Sequence, residues 1–330
     1  MKLIPVVALV VAVAGLVESP VVLAQATSTS SGQDYPVKPV RIVVTWPPGG
    51  SNDVVARVMA QRLTETLGQT FVVENRGGAT GTIGSDLVAK SAPDGYTIMV
   101  NSATHVANPH IYRKLPYDTM RDFTGVMPLA VQIGMLVVHP SLPVRSVEEL
   151  IALAKSNPDQ IAWASTGTGS YTWLTMALLL QTTGTRMLEV NYKGGGPATI
   201  ALASGEVQAF FVGIGSLTAA LAAQRVRPLG VASDKRLKQF PDIPTIAESV
   251  PGYELTAWIG SFVPSATPRA IVERLNAEFR KALEHPDVSR ILSAQTLDPM
   301  PMTPDEFALR LKADYDKYEK IIRSTGARVE

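Results

Sequence analysis

From Val40 onward the hydrophobic and polar positions alternate between short β-branched runs and longer stretches of helical periodicity. Val40-Arg41-Ile42-Val43-Val44 predicts a strand, which Pro47-Pro48-Gly49-Gly50 breaks. A helix over 52–67 follows, with Val55, Val58, Met59 and Leu63 on one face and Gly68 as its stop. Phe71-Val72-Val73-Glu74, a glycine-rich turn, a helix over 83–91 and a strand over 96–101 continue the pattern. A second set opens with a strand over 135–139 and a helix started by the capping box Ser146-Val147-Glu148-Glu149. Strands over 161–164, 188–192, 207–212 and 229–232 follow, interleaved with helices over 173–181 and 194–204. After a strand over 258–263 the chain turns helical. Thr267-Pro268 caps a helix reaching Glu284, and Thr303-Pro304-Asp305-Glu306 opens another reaching Ser324. This alternation predicts an α/β fold with mostly parallel sheets covered on both faces.

The N-terminus is a separate object. Lys2 precedes an uncharged apolar run over 3–17, and Ala24-Gln25-Ala26 offers small residues at the −3 and −1 positions of a cleavage site. A signal peptide cleaved after Ala26 accounts for this better than a retained anchor, because a membrane span needs about 20 apolar residues. Residues 27–34 read as a flexible lead-in. The uncharged stretch 209–223 contains Gly213, Gly215, Ser216 and Thr218, and reads as a buried strand followed by a small-residue helix. The expected mature protein is therefore soluble and exported.

With 330 residues, 46% of them hydrophobic, the chain is long enough for two domains. Its 30 basic and 29 acidic side chains are scattered, which gives no reason to expect nucleic acid. Cysteine is absent, which excludes disulfides, thiolate metal sites and a cysteine nucleophile.

Candidate chemistry lies in three turns, each between a strand and a helix: Pro47 to Asp53, Ser165 to Ser170, and Lys193 to Pro197. Glycine lets the backbone approach a ligand, and a helix N-terminus presents unpaired N–H groups with partial positive charge. Such turns bind carboxylate or phosphate without arginine, and in open α/β sheets ligands gather at these strand ends. Enzyme motifs fail. Gly167-Thr168-Gly169-Ser170-Tyr171 has glycine where a nucleophile elbow needs serine, and Gly77-Gly78-Ala79-Thr80-Gly81 lacks the lysine of a phosphate-binding loop. His105 and His110 have poor metal-ligand spacing, and they, His139 and His285 read as satisfied or solvated; no metal and no cofactor is expected. Asp53 stands where an N-cap belongs, with a general base as the lesser reading.

These residues also carry a family likeness. The segment Val43-Val44-Thr45-Trp46-Pro47-Pro48-Gly49-Gly50-Ser51-Asn52-Asp53 resembles the opening signature of Bug-type receptors, the periplasmic substrate-binding proteins of tripartite tricarboxylate transporters. The resemblance continues, in order, through Glu74-Asn75-Arg76-Gly77-Gly78, Pro93-Asp94-Gly95-Tyr96-Thr97, Ser165 to Ser170, Tyr192 to Ala198 and Pro241-Asp242-Ile243-Pro244-Thr245. It implies a two-lobed, type-II periplasmic binding-protein fold that closes on a small organic carboxylate. The first lobe would combine 35–137 with 258–330, the second would be 138–257, and the chain would cross near Val137 and Trp258. One jaw of the ligand site would be Pro48, Gly49, Gly50, Ser51, Asn52 and Asp53, and the other Thr166, Gly167, Thr168, Gly169 and Ser170. Ser102 and Thr104 would flank the ligand, Gly194 and Gly195 would line the far end, and Trp258 would close over it. Three positions depart from the family's pattern: Trp46 replaces a commoner Phe, Ala79-Thr80-Gly81 a commoner Ala-Gly-Gly, and Phe211-Val212-Gly213 a pattern that often carries Asp. The last favours a simple mono- or dicarboxylate over an amino-bearing ligand. The likeness further implies a monomer that is no enzyme and works with integral-membrane transporter subunits. A ligand sensor for a signalling system and a secreted hydrolase are the alternative functions.

Overall fold

The β-branched runs become strands because they are buried on both faces: Ile42, Val43 and Val44 of β1 (Val40–Val44) have no exposed surface. The structure, a computed structural model, describes residues 35–325, so the expected signal peptide and lead-in lie outside it. The remaining strands are β2 (Phe71–Asn75), β3 (Thr97–Ser102), β4 (Phe123–Gln132), β5 (Gly134–Val138), β6 (Ala162–Ser165), β7 (Leu188–Asn191), β8 (Ala209–Gly213), β9 (Arg227–Val231), β10 (Ala257–Pro264) and β11 (Leu297–Pro299). The helices are α1 (Ser51–Leu67), α2 (Thr82–Ala89), α3 (Thr104–Ile111), α4 (Val147–Ser156), α5 (Tyr171–Thr183), α6 (Gly195–Ser204), α7 (Thr218–Ala222), α8 (Ile246–Ser249), α9 (Arg269–Leu283), α10 (Pro286–Ala294) and α11 (Pro304–Thr325). A short 3-10 turn at Ala79–Gly81 precedes α2.

Two sheets result, one per lobe. The first has the order β2-β1-β3-β10-β4-β11 and the second β7-β6-β8-β5-β9. They are mixed rather than mostly parallel. β1 pairs parallel with β2 and β3, and β6 with β7 and β8, whereas β10 and β5 run antiparallel to both of their neighbours. The reason is topological: β5 and β10 are the strands that arrive from the other sheet, without the helical crossover that parallel pairing requires.

The first crossing falls at Ile133, between β4 and β5, so Val137 already lies inside the second sheet. Gly134 permits it. A Cβ there would sit 2.8 Å from both Phe211 Cε1 and the Tyr171 hydroxyl. The second crossing precedes Ala257, the first residue of β10. The apolar run 127–138 is nearly continuous, so its division between two sheets leaves no composition break to read.

α1 packs its Val55, Met59 and Leu63 face against β1 and β3. Gly68 ends it in the left-handed conformation, with its N–H bonded to the Thr64 carbonyl. α9 starts one residue later than Thr267-Pro268 implies: Pro268 is the N-cap, and the buried Thr267 hydroxyl has no partner among the described protein atoms. α11 ties the lobes together, packing on α3 and β4 and also on α5, where Ser324 Oγ donates to Gln181 Oε1 at 3.0 Å.

Candidate functional site

A cavity of about 180 Å³ lies between the sheets, at the carboxyl ends of β1 and β6. From the first lobe it is lined by Trp46, Pro47, Pro48, Gly49, Gly50, Ser51, Asn52, Ser102 and Gln132. From the second it is lined by Thr166, Tyr171, Thr172, Lys193, Gly194, Gly195, Gly196, Pro197, Val212 and Ser216.

The first wall is the N-terminus of α1. Gly50 is its N-cap and no side chain caps it, so the N–H groups of the first turn face the cavity edge without an intrahelical partner. The turn is held from behind. Trp46 Nε1 donates to Asn101 Oδ1 at 3.2 Å, and Asn75 Nδ2 donates to the Trp46 carbonyl at 3.1 Å. Asp53 accepts from the Gly49 N–H at 3.0 Å, from Arg57 Nε at 3.0 Å and from Asn75 Nδ2 at 2.9 Å. Burial alone raises the pKa of this carboxyl, but the bonds from Arg57, Gly49 and Asn75 outweigh it and hold the pKa below the ordinary aspartate value. Asp53 is therefore a clamp on the turn at helix position N3, neither the N-cap nor a cavity residue. Asn52 does line the cavity, buried, and its Oδ1 has no partner among the described protein atoms.

The second wall combines two elements. At the start of α5, Thr166 and Thr172 bring their hydroxyls to 2.9 Å, and Ser170 Oγ lies 3.0 Å from Thr172 Oγ1. Ser170 itself is buried as the cap of α5, accepting from the Trp173 N–H at 3.2 Å. At α6, Gly194 is the N-cap and again no side chain caps the helix. Beside it stands Lys193, the one charged residue in the cavity wall, which joins no ion pair among the described residues. The cavity thus carries positive partial charge at two helix ends and one full positive charge.

Of the expected site, the structure brings together Pro48, Gly49, Gly50, Ser51, Asn52, Ser102, Thr166, Gly194 and Gly195. Thr104 stands behind Ser102, accepting its hydroxyl at 3.0 Å. Gly167, Thr168 and Gly169 turn towards α3 of the first lobe: a Cβ on Gly169 would come within 2.0 Å of Ile111 Cδ1. Trp258 does not close over the cavity. It is 1% exposed, its ring lies edge-on to Phe307, and its Nε1 donates to Asp314 at 2.7 Å. Trp258, the second residue of β10, belongs to the continuous core that joins the lobes. Sequence reasoning missed Gln132, Tyr171, Thr172 and Ser216, and placed Lys193 in a candidate turn without giving it a ligand role. Lys193 was the legible one, as a cation adjoining a glycine turn; Gln132 reaches the site only through the strand crossing, and Ser216 through the 3-10 turn that follows β8.

The histidines stand apart from the cavity. His139 bonds Ser141, His285 caps α10, and His110 packs on Tyr315. His105 is not satisfied by the protein: it is buried between Phe123 and Phe262, neither ring nitrogen has a partner among the described protein atoms, and burial pushes its pKa down to about 3. Among the described residues no cluster of three His, Asp or Glu has metal-binding geometry.

The comparisons with known proteins agree with this architecture. The family model described as "Tripartite tricarboxylate transporter family receptor" matches residues 55–327. A Pseudomonas sp. (strain P51) protein, described as a UPF0065 protein in the tcbD-tcbE intergenic region, is 38% identical over 307 residues, covering 92% of this chain and 91% of its own. Rpa4515 of R. palustris, solved with adipate, is 34% identical with a TM-score of 0.86, over 89% of this chain and 100% of that one. MatC (Rpa3494) of Rhodopseudomonas palustris, solved with bound malate, is 32% identical with a TM-score of 0.82, over 87% and 100%.

Proposed function

Since the chain belongs to the tripartite tricarboxylate transporter receptor family, we propose that it is an extracytoplasmic receptor for a small organic dicarboxylate, which it binds between its lobes and delivers to the membrane subunits of such a transporter. One observation carries the choice of ligand. The N-termini of α1 and α6, both without a side-chain cap, line one cavity from opposite lobes, with Lys193 beside the second and no acidic residue between. One carboxylate at the Ser51–Asn52 amides and one at the Gly195–Gly196 amides satisfies both ends. The volume, about 180 Å³, is that of roughly six water molecules and fits a compact acid rather than an oligomer. The ligands named for Rpa4515 and MatC, adipate and malate, are of this class. Among the described residues no acid lines the cavity to pair a ligand amino group, which supports a plain dicarboxylate. Export through a signal peptide cleaved after Ala26, action in the periplasm and a monomeric state complete the proposal. The cavity wall offers no nucleophile paired with a histidine, so the reading is of binding, not catalysis.

A thermal-shift panel of organic acids tests this. A dicarboxylate at 100 times its Kd adds about 2.7 kcal/mol to stability, or roughly 4 °C in a chain of this size. No shift with any dicarboxylate, or an equal shift with the matching diols, would contradict it.

A further inference from the structure

The turn that departs from the family's commoner Ala-Gly-Gly is the most strained backbone in the described chain. Gly78, Ala79, Thr80 and Gly81 all have positive φ, at 129°, 44°, 54° and 87°. A β-branched residue seldom adopts such a conformation, and it persists only where its surroundings impose it. Here α3 imposes it. Asn108 Nδ2 donates to the Thr80 carbonyl at 3.0 Å, and the Tyr112 hydroxyl donates to Thr80 Oγ1 at 3.1 Å. With its lone pair engaged by Tyr112, the Thr80 hydroxyl donates across the gap between lobes to the Thr168 carbonyl, at 3.3 Å. Thr168 belongs to the second-lobe turn that begins at Thr166 in the cavity wall. Thr80 does not line the cavity.

We propose that Thr80 is a latch: a positioning residue that never touches the ligand but holds the two lobes together and so sets how slowly the ligand leaves. The inference rests on the receptor reading above. The left-handed turn aims the hydroxyl outward from the first lobe, and glycine at this position would relieve the strain at the loss of the only side-chain bond from this turn to the second lobe among the described residues. The turn 167–169 is then shaped to receive the latch rather than the ligand, which explains why it faces α3.

The test uses the full mature chain carrying Gln61→Cys and Ile200→Cys, exposed sites on α1 and α6, labelled for energy transfer; the chain has no cysteine of its own. Thr80→Val keeps the shape and removes the hydroxyl, and Thr80→Ser keeps the hydroxyl. Without ligand, Thr80→Val should show a longer mean separation between the lobes, and Thr80→Ser the wild-type one. With adipate as the probe, release from Thr80→Val should be about 2–12-fold faster, the worth of one neutral hydrogen bond, and Thr80→Ser should restore it. A lowered melting temperature with unchanged separation and release would reduce Thr80 to a local structural role and overturn the latch. Failure of wild-type protein to bind adipate would count against the ligand reading alone, since the ligand-free separation still decides the latch.

Discussion

Residue identity and residue role part company at several positions. Ser170 carries a hydroxyl in a glycine-rich turn and so reads as a ligand contact, yet the hydroxyl is spent on the Trp173 N–H at the start of α5. Ser170→Ala should therefore cost about 1 kcal/mol of stability, seen in urea unfolding, with little direct effect on affinity. A large affinity loss at unchanged stability would restore it to the site. His105 is the opposite case, a polar side chain with no hydrogen-bond partner among the described protein atoms. Its folded pKa, about 3, lies below the ordinary value of about 6.5, so the unfolded chain takes up a proton that the folded one refuses. Its contribution is intact above about pH 6.5 and declines by roughly 1.4 kcal/mol per pH unit as pH falls towards 3. His105→Phe should flatten the pH dependence of unfolding over that window. An unchanged slope would mean that the imidazole is hydrated in solution.

Elements were legible where periodicity was clean and punctuation ordinary. α1 declares itself through Val55, Met59, Leu63 and Gly68, and α4 through the Ser146 cap, which the structure pairs with the Glu149 N–H. α3 was missed because Asn108-Pro109 looks like a break, although Pro109 lies inside the helix. β4 was hidden by Pro128, which the sheet accommodates where the β10 register slips by one residue. The site reflects the same division. The glycine turns of α1 and α6 were visible, whereas the clamp beneath the first turn depends on Asn75, 22 residues from Asp53. That clamp is testable as a unit. Asn75→Ala removes bonds to both the Trp46 carbonyl and Asp53, and should weaken dicarboxylate binding about tenfold by loosening the turn, as read by calorimetry. Wild-type affinity in this variant would show that the turn needs no support.

At the scale of the molecule, two mixed sheets joined at Ile133 and just before Ala257 place two open helix ends on opposite walls of one cavity. The α/β class and the two lobes followed from the alternation and the family likeness. The crossing at Ile133 and the burial of Trp258 did not, because both depend on which sheet a continuous apolar run joins. Lys193, exposed at the wall and without an acidic partner among the described residues, should act mainly on approach. Lys193→Gln should slow association with a dicarboxylate several-fold at low salt, and the difference should shrink at high salt. The central claim is that the two uncapped helix ends hold the two carboxylates. A crystal structure of the protein with adipate tests it most directly. The account predicts one carboxylate within hydrogen-bonding distance of the Ser51 and Asn52 amides and the other at the Gly195 and Gly196 amides. Adipate bound in the turn 167–169, or outside the cavity between the lobes, would contradict it.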